Sequence, residues 1–150
     1  MKYSLIIFED EEFWIELDDD GYAVRQMIIS NTETLISCFT DCLAEGIVNL
    51  DELEGKIKSI DYQTFQDRWD KYLKPYRTDW ELKKKILTVC TKIQGRIKYF
   101  YPQGAVVELD NGQGICLAGL PENILIGTLI EWVIAGYDDE NMWFILETIE

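Results

Sequence analysis

Gly95-Arg-Ile-Lys-Tyr-Phe-Tyr-Pro-Gln-Gly104-Ala-Val-Val-Glu-Leu109 sets two runs of alternating apolar residues on either side of a turn containing Pro102 and Gly104. A period of two is the mark of a half-buried strand, so the two runs read as a hairpin. Toward the C-terminus, Asp110-Asn-Gly-Gln-Gly114 is a second turn with an Asn-Gly step, and Ile115–Leu117 opens the next strand. The apolar run Ile124–Ala135 carries Gly127, and Tyr137-Asp-Asp-Glu-Asn141 turns into Trp143–Leu146. Five short strands with glycine corners predict a small closed β-barrel over residues 95–150.

Toward the N-terminus the period becomes helical. Asp61 offers an N-cap, and Phe65, Trp69, Tyr72 and Leu73 share one face until Pro75, which reads as the stop. Thr78-Asp-Trp-Glu81 has the capping-box pattern and predicts a second helix with the apolar stripe Leu82, Ile86, Val89, Cys90 and Ile93. Two helices over 61–94 thus link the barrel to residues 1–60. There Ser4–Phe8, Phe13–Leu17 and Tyr22–Ile29 read as an antiparallel β-meander, and Asp18-Asp-Asp-Gly21 is a turn whose Asp-Gly step suits positive φ. Thr34–Leu43 is ambiguous between strand and helix; its β-branched, Cys and Phe content favours strand. Residues 44–60 are polar and Gly-punctuated, with Asp51-Glu-Leu-Glu54 as a single helical turn. The expected class is α+β, packed as one unit because no Pro/Gly/Ser linker divides it.

Composition narrows the function. The 150 residues hold 28 acidic side chains against 14 basic ones, for a net charge of −14, and no histidine. The commonest general base and metal ligand are therefore missing, which argues against an enzyme and against a metal. Cys38, Cys42, Cys90 and Cys116 lack both disulfide-frame and zinc-knuckle spacing, and read as reduced, mostly buried thiols of a cytoplasmic protein. Asp18-Asp-Asp-Gly-Tyr-Ala-Val lacks the register of a calcium loop, and Gly112-Gln-Gly-Ile-Cys lacks the Lys-Ser/Thr of a phosphate loop. No cofactor is expected. The opening Met1-Lys-Tyr-Ser-Leu-Ile-Ile-Phe8, followed by Glu9-Asp-Glu-Glu12, does not read as a signal peptide, and no apolar window is long enough to span a membrane.

Residues 95–146 resemble the OB-type RNA-binding domain of the large ribosomal protein S-one. That family's pattern opens Gly-x-Val-x-x-Ile, continues Gly-Ala-Phe-Val-x-Leu, and later runs Gly-x-x-Val-x-Val-x-Val with an Asp-rich turn. Gly95, Ile97, Phe100, Gly104, Ala105, Val107 and Leu109 keep the first register. Gly127, Ile130, Trp132, Ile134, Tyr137, Asp138, Asn141 and Leu146 keep the second. The resemblance implies a five-stranded barrel and RNA binding, with Lys83, Lys84, Lys85, Arg96, Lys98, Tyr99 and Tyr101 as the residues here suited to it. The family's base-stacking aromatics are replaced by Gln103 and Val106, however, and residues 95–150 hold two basic against nine acidic side chains. A stacked base is worth roughly 1–3 kcal/mol and phosphate binding needs a basic groove, so these departures disfavour RNA. Tyr99 and Tyr101 either offer remaining stacking surface or pack inside the fold.

Phe13-Trp-Ile-Glu-Leu-Asp-Asp-Asp-Gly-Tyr-Ala-Val-Arg25 resembles the Trp-x-Glu-x-Asp-x-x-Gly-x-x-x-Arg hairpin of small bacterial proteins similar to immunity partners of polymorphic toxins. Within it Glu16 and Arg25 are placed to pair across the hairpin in a structural role. The acidic balance and this resemblance together predict a non-enzymatic protein that binds a basic protein partner. Its candidate contacts are Glu9, Asp10, Glu11, Glu12, Asp18, Asp19, Asp20, Asp138, Asp139 and Glu140.

Overall fold

Lys2–Phe8 (β1), Glu11–Leu17 (β2), Ala23–Ile29 (β3), Thr34–Ile36 (β4) and Lys56–Ile60 (β5) form an antiparallel sheet in the computed structural model, in the order β4-β3-β2-β1-β5. The structure describes residues 1–149, and the chain divides into two compact units, Met1–Pro75 and Tyr76–Glu150. The expected meander is present, and its Asp-Gly turn puts Gly21 at φ 91°, where an L side chain is strained.

Alternation gives this sheet two different faces. Tyr3, Glu16 and Arg25 form one cross-strand row; Ser4, Ile15 and Gln26 form the next, on the opposite face. The first face lies beneath the helix α1 (Tyr62–Ile86), whose Phe65, Trp69 and Leu73 are fully buried. Asp61 caps α1 by accepting the Thr64 N–H at 2.8 Å. Arg25 donates to both carboxylate oxygens of Glu16, at 2.8 and 3.0 Å, and to Oε1 of Gln66 at 2.9 Å. Its guanidinium also lies over the rings of Phe65 and Trp69, 4.9 and 5.0 Å from their centroids. The pair expected across the hairpin is thus the buried polar centre of this unit.

The second unit contains Lys92–Tyr101 (β6), Gly104–Leu109 (β7), Gly112–Cys116 (β8), Leu129–Asp138 (β9) and Trp143–Thr148 (β10). They close into a barrel in the order β10-β8-β7-β6-β9, and the β8–β10 pair is parallel. This is the five-stranded, OB-like barrel expected from residues 95–150. Ile97, Val107, Gly114 and Phe144 form one row around it. A bulge in β6 between Ile97 and Tyr99 shifts the register so that Tyr99 pairs with Val106, the extra bend a long strand needs to wrap a small barrel. Gly95 is sterically required: a Cβ there would stand 2.6 Å from the side chains of both Leu109 and Val107. Trp132 donates its indole N–H to the Gly95 carbonyl at 3.1 Å. In place of a stop at Pro75 and a restart at Thr78, a single helix of 25 residues runs through both positions.

The expected second apolar stripe is not the buried one. Leu82, Ile86 and Val89 are 54, 76 and 49% exposed, whereas Trp80 is buried against Phe144, with ring centroids 4.9 Å apart. Thr34–Leu43 is a strand only to Ile36; Phe39 and Thr40 then both donate their N–H groups to the Ile36 carbonyl in a tight turn. Residues 44–60 are not purely loop. Leu50–Glu52 is the expected helical turn, in 3-10 form, but Lys56–Ile60 adds the edge strand beside β1. Its side chains are exposed except the half-buried Ile60, so it carries almost no apolar alternation to read.

Candidate functional site: a carboxylate-rimmed apolar groove

The sheet face opposite the helix is only partly covered by the chain that follows β4. Between them lies a cleft of about 560 Å³ lined by Phe8, Phe13, Ile15, Gln26, Ile47 and Leu53, among others, with Glu45, Glu52 and Glu54 also on its wall. Phe8 and Phe13 come from the two strands that flank the Glu9–Asp10 hairpin tip, so the candidate residues Glu9, Asp10, Glu11 and Glu12 sit at this end of the sheet. Ile47 and Leu53 are exposed, while Gln26 is 5% exposed. The Gln26 side chain is oriented by its own hydrogen bond: Oε1 accepts the Ala44 N–H at 2.8 Å. Its Nε2 group donates to no acceptor among the described residues.

Asp18, Asp19 and Asp20 lie at the opposite end of β2, about 20 Å from the Glu9–Glu12 tip at the usual strand rise. Asp18 holds its own turn, accepting the N–H groups of Asp20 and Tyr22 at 2.9 Å each. Asp19 faces the N-terminal ammonium at 3.1 Å. A separate shallow cleft there is lined by Lys2, Asp18, Asp19 and Asp51. The two hairpin clusters therefore do not form one patch.

The third cluster is committed to its own unit. Asp138 accepts the backbone and side-chain N–H groups of Asn141 at 3.2 and 2.9 Å. Asp139 accepts from the indole of Trp80 at 2.8 Å and from Lys84 at 2.7 Å, and Arg77 donates to its carbonyl. The Lys84 and Trp80 hydrogen bonds hold the Asp139 carboxyl below the ordinary range, and the bond to Asp139 pushes Lys84 up. Glu140 is exposed beside them.

The basic and aromatic candidates for nucleic acid are dispersed in the same way. Lys83 pairs with Asp79 at 2.9 Å, Lys84 with Asp139, and Lys98 stands 3.7 Å from Glu108; Arg96 donates to the Gly127 carbonyl at 2.9 Å, and Lys85 is exposed. Tyr99 and Tyr101 are each 7% exposed, their rings 4.9 Å apart, and Tyr101 packs toward Trp143. Packing, not stacking surface, is what these rings supply. Val106 is fully buried and stands between Tyr99 and Ile115 in the register.

All four cysteines are free thiols, Cys38 and Cys116 buried, and burial pushes Cys42 up to about 12, far from a reactive thiolate. Among the described residues no group of three or more His, Cys, Asp or Glu side chains is placed to hold a metal, and no helix is long and apolar enough to cross a membrane. A scan against protein-family models and a search of curated proteins both find no match to this chain.

The groove itself was not legible in the sequence. Glu45 falls in the polar, Gly-punctuated stretch, Glu52 and Glu54 in the single helical turn expected there, and Gln26 reads as one polar position of a strand. The only available signal was the two phenylalanines bracketing an acidic tip, Phe8 and Phe13.

Proposed function

We propose that this protein is a non-enzymatic acidic binding protein that masks a basic protein partner, as an immunity-type inhibitor masks a bacterial toxin, in the cytoplasm. The observation that carries the reading is the uneven charge. Residues 1–75 hold 17 acidic and 7 basic side chains, a net of −10, against 11 and 7, a net of −4, in residues 76–150. This more acidic unit also holds an open apolar groove with Glu45, Glu52 and Glu54 on its wall, the combination that a cationic surface with apolar anchors complements. Burial of Tyr99 and Tyr101 and pairing of Lys83, Lys84 and Lys98 with carboxylates weigh against the RNA-binding alternative.

The test is capture from the native host at low and high salt, with partners identified by mass spectrometry. Basic proteins released as salt rises are the expected result. A captured set without basic proteins, or micromolar binding to single-stranded RNA with a steep salt slope, overturns the reading.

A further inference from the structure

We infer that the groove of residues 1–75 takes an extended segment of the basic partner, with one aliphatic or aromatic side chain inserted and Lys or Arg on both sides of it. The inference rests on the acidic-binder reading and specifies its site. Three independent features of the groove converge on such an occupant.

Phe8, Phe13, Ile15 and Leu53 give an apolar wall with room for one or two large side chains in about 560 Å³. Leaving such surface open to water is unfavourable, and an inserted apolar side chain removes that cost. Glu45, Glu52 and Glu54 stand on the same wall, and no Lys or Arg lines it. A flanking cation therefore meets carboxylates, while an acidic or purely apolar segment leaves them unmatched. Gln26 supplies the third feature. Its carbonyl is fixed on Ala44 N–H, so the amide group that remains on the groove wall is a donor. A backbone carbonyl of an extended segment is the acceptor that such a donor meets.

Nuclear magnetic resonance of the isotope-labelled full chain near physiological salt tests this with three synthetic peptides: Lys residues flanking a central Leu, the same peptide with Ser for Leu, and Glu residues flanking Leu. The Lys/Leu peptide is expected to shift the methyl resonances of Ile15, Ile47 and Leu53 and the side-chain amide of Gln26. Serine in place of leucine should weaken binding roughly tenfold, and the Glu-flanked peptide should not bind. Leu53→Ser in the protein should weaken the Lys/Leu peptide similarly; if that variant does not fold, the peptide series on the native chain decides alone. Equal binding of the Leu and Ser peptides, with shifts scattered over both acidic hairpins, overturns the groove while leaving the acidic-binder reading standing. Binding by none of the peptides overturns the groove occupant, and the capture experiment then judges the wider reading separately.

Discussion

Residues 1–75 and residues 76–150 both contain acidic turns, yet they use them in opposite ways. In the second unit the Asp138–Asp139 turn is a fastener: Asp139 binds Trp80 and Lys84, and Asp138 binds Asn141. In the first, the buried polar work is done by Glu16 with Arg25, and Glu45, Glu52 and Glu54 stand on the wall of an open groove. An acidic run in a sequence therefore states nothing about binding until its hydrogen-bond partners are known. Only the carboxylates without cations beside them are available to a partner.

That contrast can be broken at its centres. Arg25→Ala should give the largest effect, because Glu16, 7% exposed, is left as a buried charge without a counterion. A loss of about 3–5 kcal/mol in urea unfolding is expected; a loss under 1 kcal/mol would mean that water reaches Glu16. In the barrel, Gly95→Ala drives a methyl into Leu109 and Val107 and should destabilise by about 1–3 kcal/mol, measured by the same unfolding midpoint. Asp139→Ala should cost about 1–2 kcal/mol by leaving the indole of the buried Trp80 without its acceptor. If Asp139→Ala instead leaves stability unchanged and abolishes partner binding, the turn is a contact and not a fastener.

The two units also respond differently to pH. Burial, with the hydrogen bond to Glu16, pushes the Tyr3 phenol up to about 12. Its unfolded value is ~10, so between these values the folded chain holds a proton that the unfolded chain has lost. Stability should therefore fall as pH rises from about 10 to about 12 through this group, which contributes no pH dependence lower down. Asp139 has the opposite sign: its carboxyl is held low by Lys84 and Trp80, so its contribution is present at neutral pH and is lost as pH falls through the depressed value. Unfolding midpoints across pH for the native chain, Tyr3→Phe and Asp139→Ala separate the two arms. A Tyr3→Phe variant with an unchanged alkaline slope would show that another group carries it.

Much of the barrel was legible because its glycines and alternating apolar residues answer to local geometry: Gly95 stands against Val107 and Leu109 of the adjoining hairpin strand. The helix count was not. Pro75 lacks an N–H and should break a helix, but Leu73 on one side and Trp80 on the other are both buried, and that packing outweighs one lost hydrogen bond. The Thr78–Glu81 capping box is a local pattern inside an element already started at Asp61. For the site, the Glu9–Glu12 tip was found by its charge, whereas Gln26 and Glu45 become neighbours only when residues 37–54 fold back over the sheet, a non-local event that no period encodes.

The account stands most directly on where charge matters. Two variants with the same change in net charge compare the units: Glu45→Lys/Glu52→Lys/Glu54→Lys around the groove, and Glu122→Lys/Glu131→Lys/Glu147→Lys on exposed positions of the second unit. Association rates with the captured basic partner are measured against salt for both. The account predicts that the groove variant loses affinity by at least about tenfold and flattens the salt slope, while the second-unit variant stays close to the native chain. Equal losses in the two variants, or a larger loss in the second, would contradict it.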